Sequence, residues 1–364
     1  MTPPFSVEIA PDWRGLLQCL KREGTPDRVH FIELLIDEEI KAAVAERFSL
    51  VDDLAAGDPN YSREREVRVM RFLGYDYVRC GTDDLGITVN REATVDTASL
   101  EREGGRQFVN EHRGPITNWQ EFEEYPWPNP DDITTENLPW YQDNLPEDMC
   151  IIGSGGFAHF AEYVIWLMGY ETLCYSLFDK PDLVEAISRR LIDLYEVVVQ
   201  RILAFDRVKA IWGSDDMGFR SGTLIGPDDL RKYILPGHKA MARAAHAAGR
   251  PYLLHSCGKL DAIMDDLLDD VGIDALHSYE DTIKTVEETK RVYGDRIAVL
   301  GGIDVDFLCR SDEEAVRRRT RETLDECQPG GGYCLGTGNS VANYIPLDNY
   351  LAMLDEGRRY VAQE

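Results

Sequence analysis

Short apolar runs alternate with amphipathic stretches along most of this chain. Runs at 149–153, 208–212, 251–255, 273–278, 297–300 and 331–335 predict six strands. Between them lie stretches with helical spacing and recognisable ends. Pro181 sits in the first turn of a helix reaching about Phe205, where its missing N–H costs nothing. Pro227-Asp228-Asp229 opens a helix that Pro236 interrupts and Gly249 closes, and Gly272 and Gly294 close two others. Ser311 with Glu314 reads as a capping box for a helix to about Cys327, and a final helix runs over 346–360. Upstream, 28–34 and 75–80 read as two more strands, each paired with a helical stretch, 37–48 and 62–73.

Strict alternation of strand and helix implies a parallel sheet with right-handed crossovers. Eight such units are the number that closes a (β/α)8 TIM barrel. An open doubly wound sheet is less favoured, because no G-x-G-x-x-G turn opens a helix after an early strand. Residues 81–148 depart from the rhythm, with Gly, Thr, Asn, Pro and Trp and little helical period. They predict an insertion after the second strand, near the barrel mouth, with short antiparallel strands at 87–95 and 106–111. The whole chain, 1–364, then reads as a single barrel domain.

Composition narrows the function. Lys plus Arg is 39 and Asp plus Glu is 66, a net charge of −27. Such a polyanion is a poor partner for nucleic acid or an anionic membrane face. No run of about 18 apolar residues would cross a membrane. The N-terminal stretch lacks the order of a signal peptide, and eight scattered cysteines are too sparse for a disulfide framework. A cytoplasmic enzyme with reduced thiols is expected.

Barrel enzymes work at the carboxyl ends of their strands. Here those ends carry Glu33, Gly153-Ser154, Asp215-Asp216, His255-Ser256-Cys257, His277-Ser278-Tyr279, Cys334 and Asn339. His255 and Cys257 form the sharpest pair, since residues two apart on extended chain point the same way. Imidazole and thiolate make half of a zinc site, and a catalytic zinc takes three protein ligands. Cys334, Glu33 and Asp216 are the candidates for the third. The plain alternative is a histidine holding a carbonyl beside a cysteine that packs. Asp215 and Asp216 read either as a solvated loop pair or as groups facing the cavity to bind substrate or serve as base. Glu33 lies among apolar neighbours, either paired with a buried Arg such as Arg79 or acting as acid, base or ligand. The Gly153-Ser154 turn would line a substrate pocket or simply make space.

The order of these motifs resembles the uroporphyrinogen decarboxylase superfamily. Asp215-Asp216-Met217-Gly218, Gly226-Pro227, Lys232-Tyr233, His255-Ser256-Cys257-Gly258, Gly301-Gly302-Ile303-Asp304 and Pro346-Leu347-Asp348-Asn349 carry the likeness, most densely after residue 205. The resemblance implies a (β/α)8 barrel. It also implies one of two chemistries, cofactor-free decarboxylation or methyl transfer between a corrinoid and a thiol or folate. True decarboxylases carry an N-terminal Arg-Gln-x-Gly-Arg motif; here the first strand reads His30-Phe31-Ile32-Glu33-Leu34-Leu35-Ile36-Asp37. Acids there would repel a polycarboxylate substrate. The methyltransferase branch therefore fits better, with zinc on His255 and Cys257 and a methyl-corrinoid as donor or acceptor in one-carbon metabolism. In that branch a later cysteine completes the site; its matching position here is Asn339, and Cys334 lies five residues earlier. Asp216, Glu33 and Tyr279 are the expected catalytic groups, and Asn339, Asp215, Gly153 and Ser154 the expected substrate contacts. The likeness further implies a corrinoid protein as partner, and a homodimer. A metal-free decarboxylase on a smaller carboxylated substrate and a non-catalytic ligand-binding barrel are the alternatives.

Overall fold

Seven of the eight expected strands form one parallel sheet, and their order across it is their order along the chain. They are Tyr77–Cys80, Cys150–Gly153, Val208–Ser214, Tyr252–His255, Ala275–His277, Ala298–Leu300 and Tyr333–Cys334. The computed structural model describes residues 5–55 and 57–360. All six strand pairings are parallel. Strands buried on both faces read as continuous apolar runs, which is why the pattern found them.

The expected first strand, 28–34, is reduced to a single bridge. Phe31 pairs with Leu335 beyond the last strand, and Ile32 N donates to Leu335 O at 2.8 Å while Leu335 N donates to His30 O at 2.9 Å. Toward the strand Tyr77–Cys80 it makes side-chain links instead of a ladder. The Tyr77 hydroxyl accepts from Glu33 N at 2.8 Å and donates to Glu33 O at 3.2 Å. A buried peptide group must find a partner, and here a phenol supplies it where a neighbouring strand would. Asp76 adds His30 at 2.7 Å and the Arg28 guanidinium. The parallel sheet is thus curled, with its last strand reaching the segment that side chains tie back to its first.

Helices cover the outside of the sheet. In Pro181–Leu203 the buried residues Leu183, Ile187, Leu191, Leu194, Val198 and Ile202 recur at helical spacing and make the inner stripe. After the strand Cys150–Gly153 the chain forms two helices, Phe160–Met168 and Tyr170–Asp179, which meet at Gly169, whose φ is +80°. Pro236 does not end its helix; the preceding turn, Leu230–Ile234, widens to π-helical geometry and Leu235–Ala247 continues. The stretch 260–271 keeps a π-helical turn, Asp266–Val271. The cap expected at Ser311 falls one residue later: Asp312 accepts from Ala315 N at 2.8 Å, and Ser311 closes the preceding helix Val305–Arg310. A reciprocal capping box stands instead at Thr285 and Glu288.

Between the first two strands of the sheet, 81–148 holds an antiparallel pair, Arg91–Thr94 with Arg106–Val109, and the helices Trp119–Glu124 and Asn137–Asn144. The pair reaches across to the ends of distant elements. Arg102 meets Asp37 at 3.1 Å, and Asn343 donates to Asp96 at 2.6 Å. Among the described residues no helix is long and apolar enough to cross a membrane.

Candidate metal centre

Strand register brings the site together. Ser214 is the Cα partner of His255, and His255 of His277. The chain beyond Ser214 stays tied to its neighbour: Asp215 N donates to His255 O at 2.9 Å, Met217 N to Ser256 Oγ at 3.1 Å and Gly218 N to Cys257 O at 3.1 Å. Asp216 therefore stands beside Cys257, two residues beyond the pair Ser214 and His255. The two loops touch backbone to backbone. A Cβ on Gly258, whose φ is +90°, would lie 2.1 Å from the Gly218 carbonyl carbon.

Asp216, His255 and Cys257 each direct a ligand atom to one place, all within 4.8 Å of one another. His255 Nε2 is 3.4 Å from Asp216 Oδ1 and 3.5 Å from Cys257 Sγ. The proton on His255 can be traced. His277 Nε2 donates to Thr337 O at 3.2 Å, since a carbonyl oxygen can only accept. Burial, followed by the neighbouring His255, drives the His277 pKa well below that of an ordinary histidine, so the ring is neutral and its Nδ1 bears a lone pair. His255 Nδ1 lies 2.7 Å from that nitrogen and must donate to it. With Nδ1 donating to His277, the Nε2 of His255 faces a carboxylate oxygen and a sulfur, as a donor to Asp216 when the ring is protonated and as a lone pair when it is not.

The surroundings hold the other two groups. Cys257 N donates to Asp216 Oδ1 at 2.8 Å, and Asn339 Nδ2 donates to Cys257 Sγ at 3.2 Å. Ser278 Oγ stands 3.7 Å from the same sulfur. Burial, and then the charge of Asp216, pushes the Cys257 thiol up to about 12. Asp216 is lowered to about 2: burial works against its charge, and the His255 ring and the Cys257 amide outweigh burial. Without a cation the sulfur keeps its proton; a divalent cation between these groups reverses that preference.

The other expected residues lie elsewhere. Cys334 is fully buried and its thiol donates to Cys19 Sγ at 3.7 Å, outside the cluster; Asp216 stands where a third ligand is needed. Glu33 gives both oxygens to Thr337, accepting from its N–H at 2.8 Å and its hydroxyl at 2.5 Å, and is paired neither with Arg79 nor with the cluster. Burial pushes its pKa up to about 8. Asp215 is 0% exposed and its carboxylate is engaged by the amides of Ala161 and Glu162 at 2.8 and 3.0 Å and by His238 Nε2 at 2.9 Å. It caps the helix Phe160–Met168 rather than facing a ligand. The buried Tyr279 hydroxyl donates to Leu276 O at 3.2 Å. A Cβ on Gly153 would meet Ile202 and Ile211, so that glycine makes room for helix packing, while Ser154 Oγ accepts from Arg79.

Sequence reasoning missed His277 as the partner of His255. The repeated His-Ser at two successive strand ends carried that signal. It also missed His159, whose Nδ1 lies 2.6 Å from Glu162 Oε2 beside the aspartate pair; an i, i+3 spacing at a helix start is too common to stand out.

Part of this chain is similar to curated methyltransferases. A methylcobamide:CoM methyltransferase, MtaA, from Methanosarcina barkeri is 29% identical over 143 residues, covering 39% of this chain and 40% of that protein. A methylated-thiol–coenzyme M methyltransferase from Methanosarcina mazei is 28% identical over 156 residues, 42% of this chain and 40% of that protein. The matches thus span about two fifths of the curated relatives' length. A solved methyltransferase structure from Methanosarcina mazei shares the fold, with a TM-score of 0.65 at 18% identity over 94% of this chain and 97% of that one. The family profile for uroporphyrinogen decarboxylase (URO-D) matches residues 59–360, from before the first strand of the sheet to the end of the last helix, and the chain belongs to that family.

Proposed function

We propose that this protein is a zinc-dependent methyltransferase that moves a methyl group between a corrinoid and a thiol or other small acceptor. The observation that supports it most is the convergence of Asp216, His255 and Cys257. His255 Nε2 and Asp216 Oδ1 face each other at 3.4 Å, a separation that either a proton on the ring or a cation bound between the two can bridge. The nitrogen, sulfur and oxygen donors are a set that zinc accepts, and three protein ligands leave a position for substrate.

Asp216, His255 and Cys257 would hold the ion, which when bound supplies Lewis-acid character and lowers the pKa of a thiol or water at the open position. The chain does the rest. His277 and Thr337 fix the His255 tautomer and ring plane, the outer layer on which metal affinity depends. Asn339 donates to the Cys257 sulfur and holds it in place. Asp216, with a side chain 40% exposed, marks the open side by which an acceptor enters. The sheet is read as a (β/α)8 barrel closed by the 28–34 segment, with 81–148 an insertion covering its mouth, where a corrinoid protein docks. A cytoplasmic homodimer completes this reading.

The test is a metal assay joined to turnover. Purified protein is expected to hold about one zinc per chain, and to demethylate methylcobalamin when a small thiol is added. Metal below about a tenth of an equivalent after growth with zinc, together with turnover unaffected by chelators, overturns the metal site.

A further inference from the structure

His159 presents an unpartnered ring nitrogen at the carboxyl end of the sheet, on the side of the candidate metal centre. It is the last residue before the helix Phe160–Met168, where a side-chain oxygen often caps the helix. Asp215 does the capping here, accepting from the amides of Ala161 and Glu162 at 2.8 and 3.0 Å, and the His159 ring is free of that duty. Its Nδ1 turns to Glu162 Oε2 at 2.6 Å instead. Among the described residues no group bonds its Nε2. Trp166 stacks on the ring, with centroids 6.2 Å apart and planes at 29°, and Tyr163 meets it edge-on.

The backbone is bent to place the ring there. Ala158 has φ +61°, and of the three non-glycine residues with positive φ among the described ones it alone is buried. A side chain in that region is strained, and such strain persists where the surroundings enforce it, often at functional sites. The turn is pressed onto the strand Val208–Ser214: a Cβ on Gly213 would lie 3.2 Å from the Ala158 Cβ. That strand runs directly into Asp215 and Asp216, so the ring and the candidate ligand share one end of the sheet. Glu162, Asp215 and Asp216 carry the charges that bear most on the ring. Burial works against a charge on the imidazole, and these carboxylates outweigh it and raise its pKa above that of an ordinary histidine. Burial raises Glu162 as well, with the ring opposing it. The His159 side chain is 22% exposed, so its edge reaches solvent.

We propose that His159 Nε2, with Glu162 behind it, is the base that takes the proton of the methyl acceptor, a role that rests on the methyltransferase reading above. A thiol must lose its proton to become the nucleophile. Its S–H bond breaks and the proton passes to His159 Nε2, while Glu162 holds Nδ1 and meets the charge of the imidazolium. The sulfur lone pair then forms the S–C bond to the methyl group, and the C–Co bond of the methyl-corrinoid breaks with both electrons left on cobalt. The imidazolium afterwards gives its proton to water at the exposed edge of the ring.

Proton release on thiol binding tests this role without turnover. Co(II)-loaded protein is titrated with mercaptoethanol in weak buffer containing a pH indicator, and binding is read from the sulfur-to-cobalt charge-transfer band. The pH is set about one unit above the pKa of the His159 ring, measured by NMR on histidine-labelled, zinc-loaded protein, so that the ring starts neutral. A metal takes a thiol as thiolate and sets a proton free. In the wild-type protein that proton is expected to stay on His159, with less than about half a proton released per thiol bound. His159→Gln has no base there and is expected to release about one proton per thiol. Thiol affinity should then vary little with pH in the wild type and rise about tenfold per pH unit in the variant.

Equal proton release by the two cobalt-loaded proteins overturns the role of His159 and leaves the metal reading standing. If His159→Gln fails to fold, Glu162→Gln keeps the ring and removes its counter-charge. Release is then expected to rise toward about one proton per thiol, and release unchanged from the wild type overturns the role equally. Protein that takes up no cobalt, or takes it up and binds no thiol, overturns the methyltransferase reading and the role with it.

Discussion

His255 and His277 share one hydrogen bond, Nδ1 to Nδ1 at 2.7 Å, and its direction is set by a carbonyl on the far side of His277. The Thr337 carbonyl takes the Nε2 proton of His277, so His277 accepts from His255. This relay turns the His255 Nε2 toward Asp216 and Cys257. A residue one strand away from the candidate ligands therefore sets which ring nitrogen one of them presents to a metal.

The consequence is measurable without turnover. His277→Ala removes the acceptor, frees the His255 ring to rotate and allows the other tautomer. Zinc affinity is expected to fall by about 10- to 100-fold, the usual cost of losing such an outer partner. Competition with a chromophoric chelator reads this directly. His277→Gln, whose amide oxygen can accept from His255, should recover part of the loss. An affinity unchanged in both variants removes His277 from the account of the site.

Much of this is legible in the amino-acid sequence. The β-then-α rhythm locates seven strands because most of their residues are buried on both faces and read as apolar runs. The first strand was over-read: 28–34 has the composition of a strand, but Tyr77 and Asp76 satisfy it through side chains, which no hydropathy pattern encodes. His255 and Cys257 were legible as a pair because two-residue spacing fixes their common direction. The choice among Asp216, Cys334 and Glu33 was not, because it depends on how strands align. Register places Asp216 beside Cys257, while Cys334 turns to Cys19 and Glu33 to Thr337.

Adjacent aspartates should behave oppositely. Asp215 is enclosed and bonded to two helix amides and to His238. Asp215→Ala leaves those donors buried and unpaired, and a loss of about 3–5 kcal/mol in unfolding free energy is expected. Asp216→Ala touches a side chain that is 40% exposed, so urea unfolding should shift little while bound zinc falls well below one equivalent. Stability curves and metal content on the two variants settle the division; a stable Asp215→Ala protein contradicts the capping role.

Cysteines provide a parallel contrast. Cys257→Ser replaces a sulfur in the cluster and should abolish stable zinc retention through gel filtration. Cys334→Ser alters a thiol whose neighbour is Cys19, so metal content should stay at the wild-type level even where thermal stability drops. Equal loss of zinc in both variants would restore Cys334 as a ligand.

Glu33 ties stability to pH. Burial raises its carboxyl from 4.5 to about 8. Between those values the folded chain keeps a proton that the unfolded chain has released, so the stability due to this group is fully present below pH 4.5 and declines as the pH rises through about 8. The full span corresponds to at most about 5 kcal/mol. Glu33→Gln removes the titration and keeps the geometry, since an amide oxygen can accept from Thr337 N and its NH₂ can donate to Thr337 Oγ1. Urea unfolding of the two proteins from pH 5 to pH 9 is the measurement. The gap between them should move in favour of Glu33→Gln as the pH rises toward and past 8. Parallel curves would mean that Glu33 is already ionised at pH 5, and that the two bonds from Thr337 stabilise its charge more than burial opposes it.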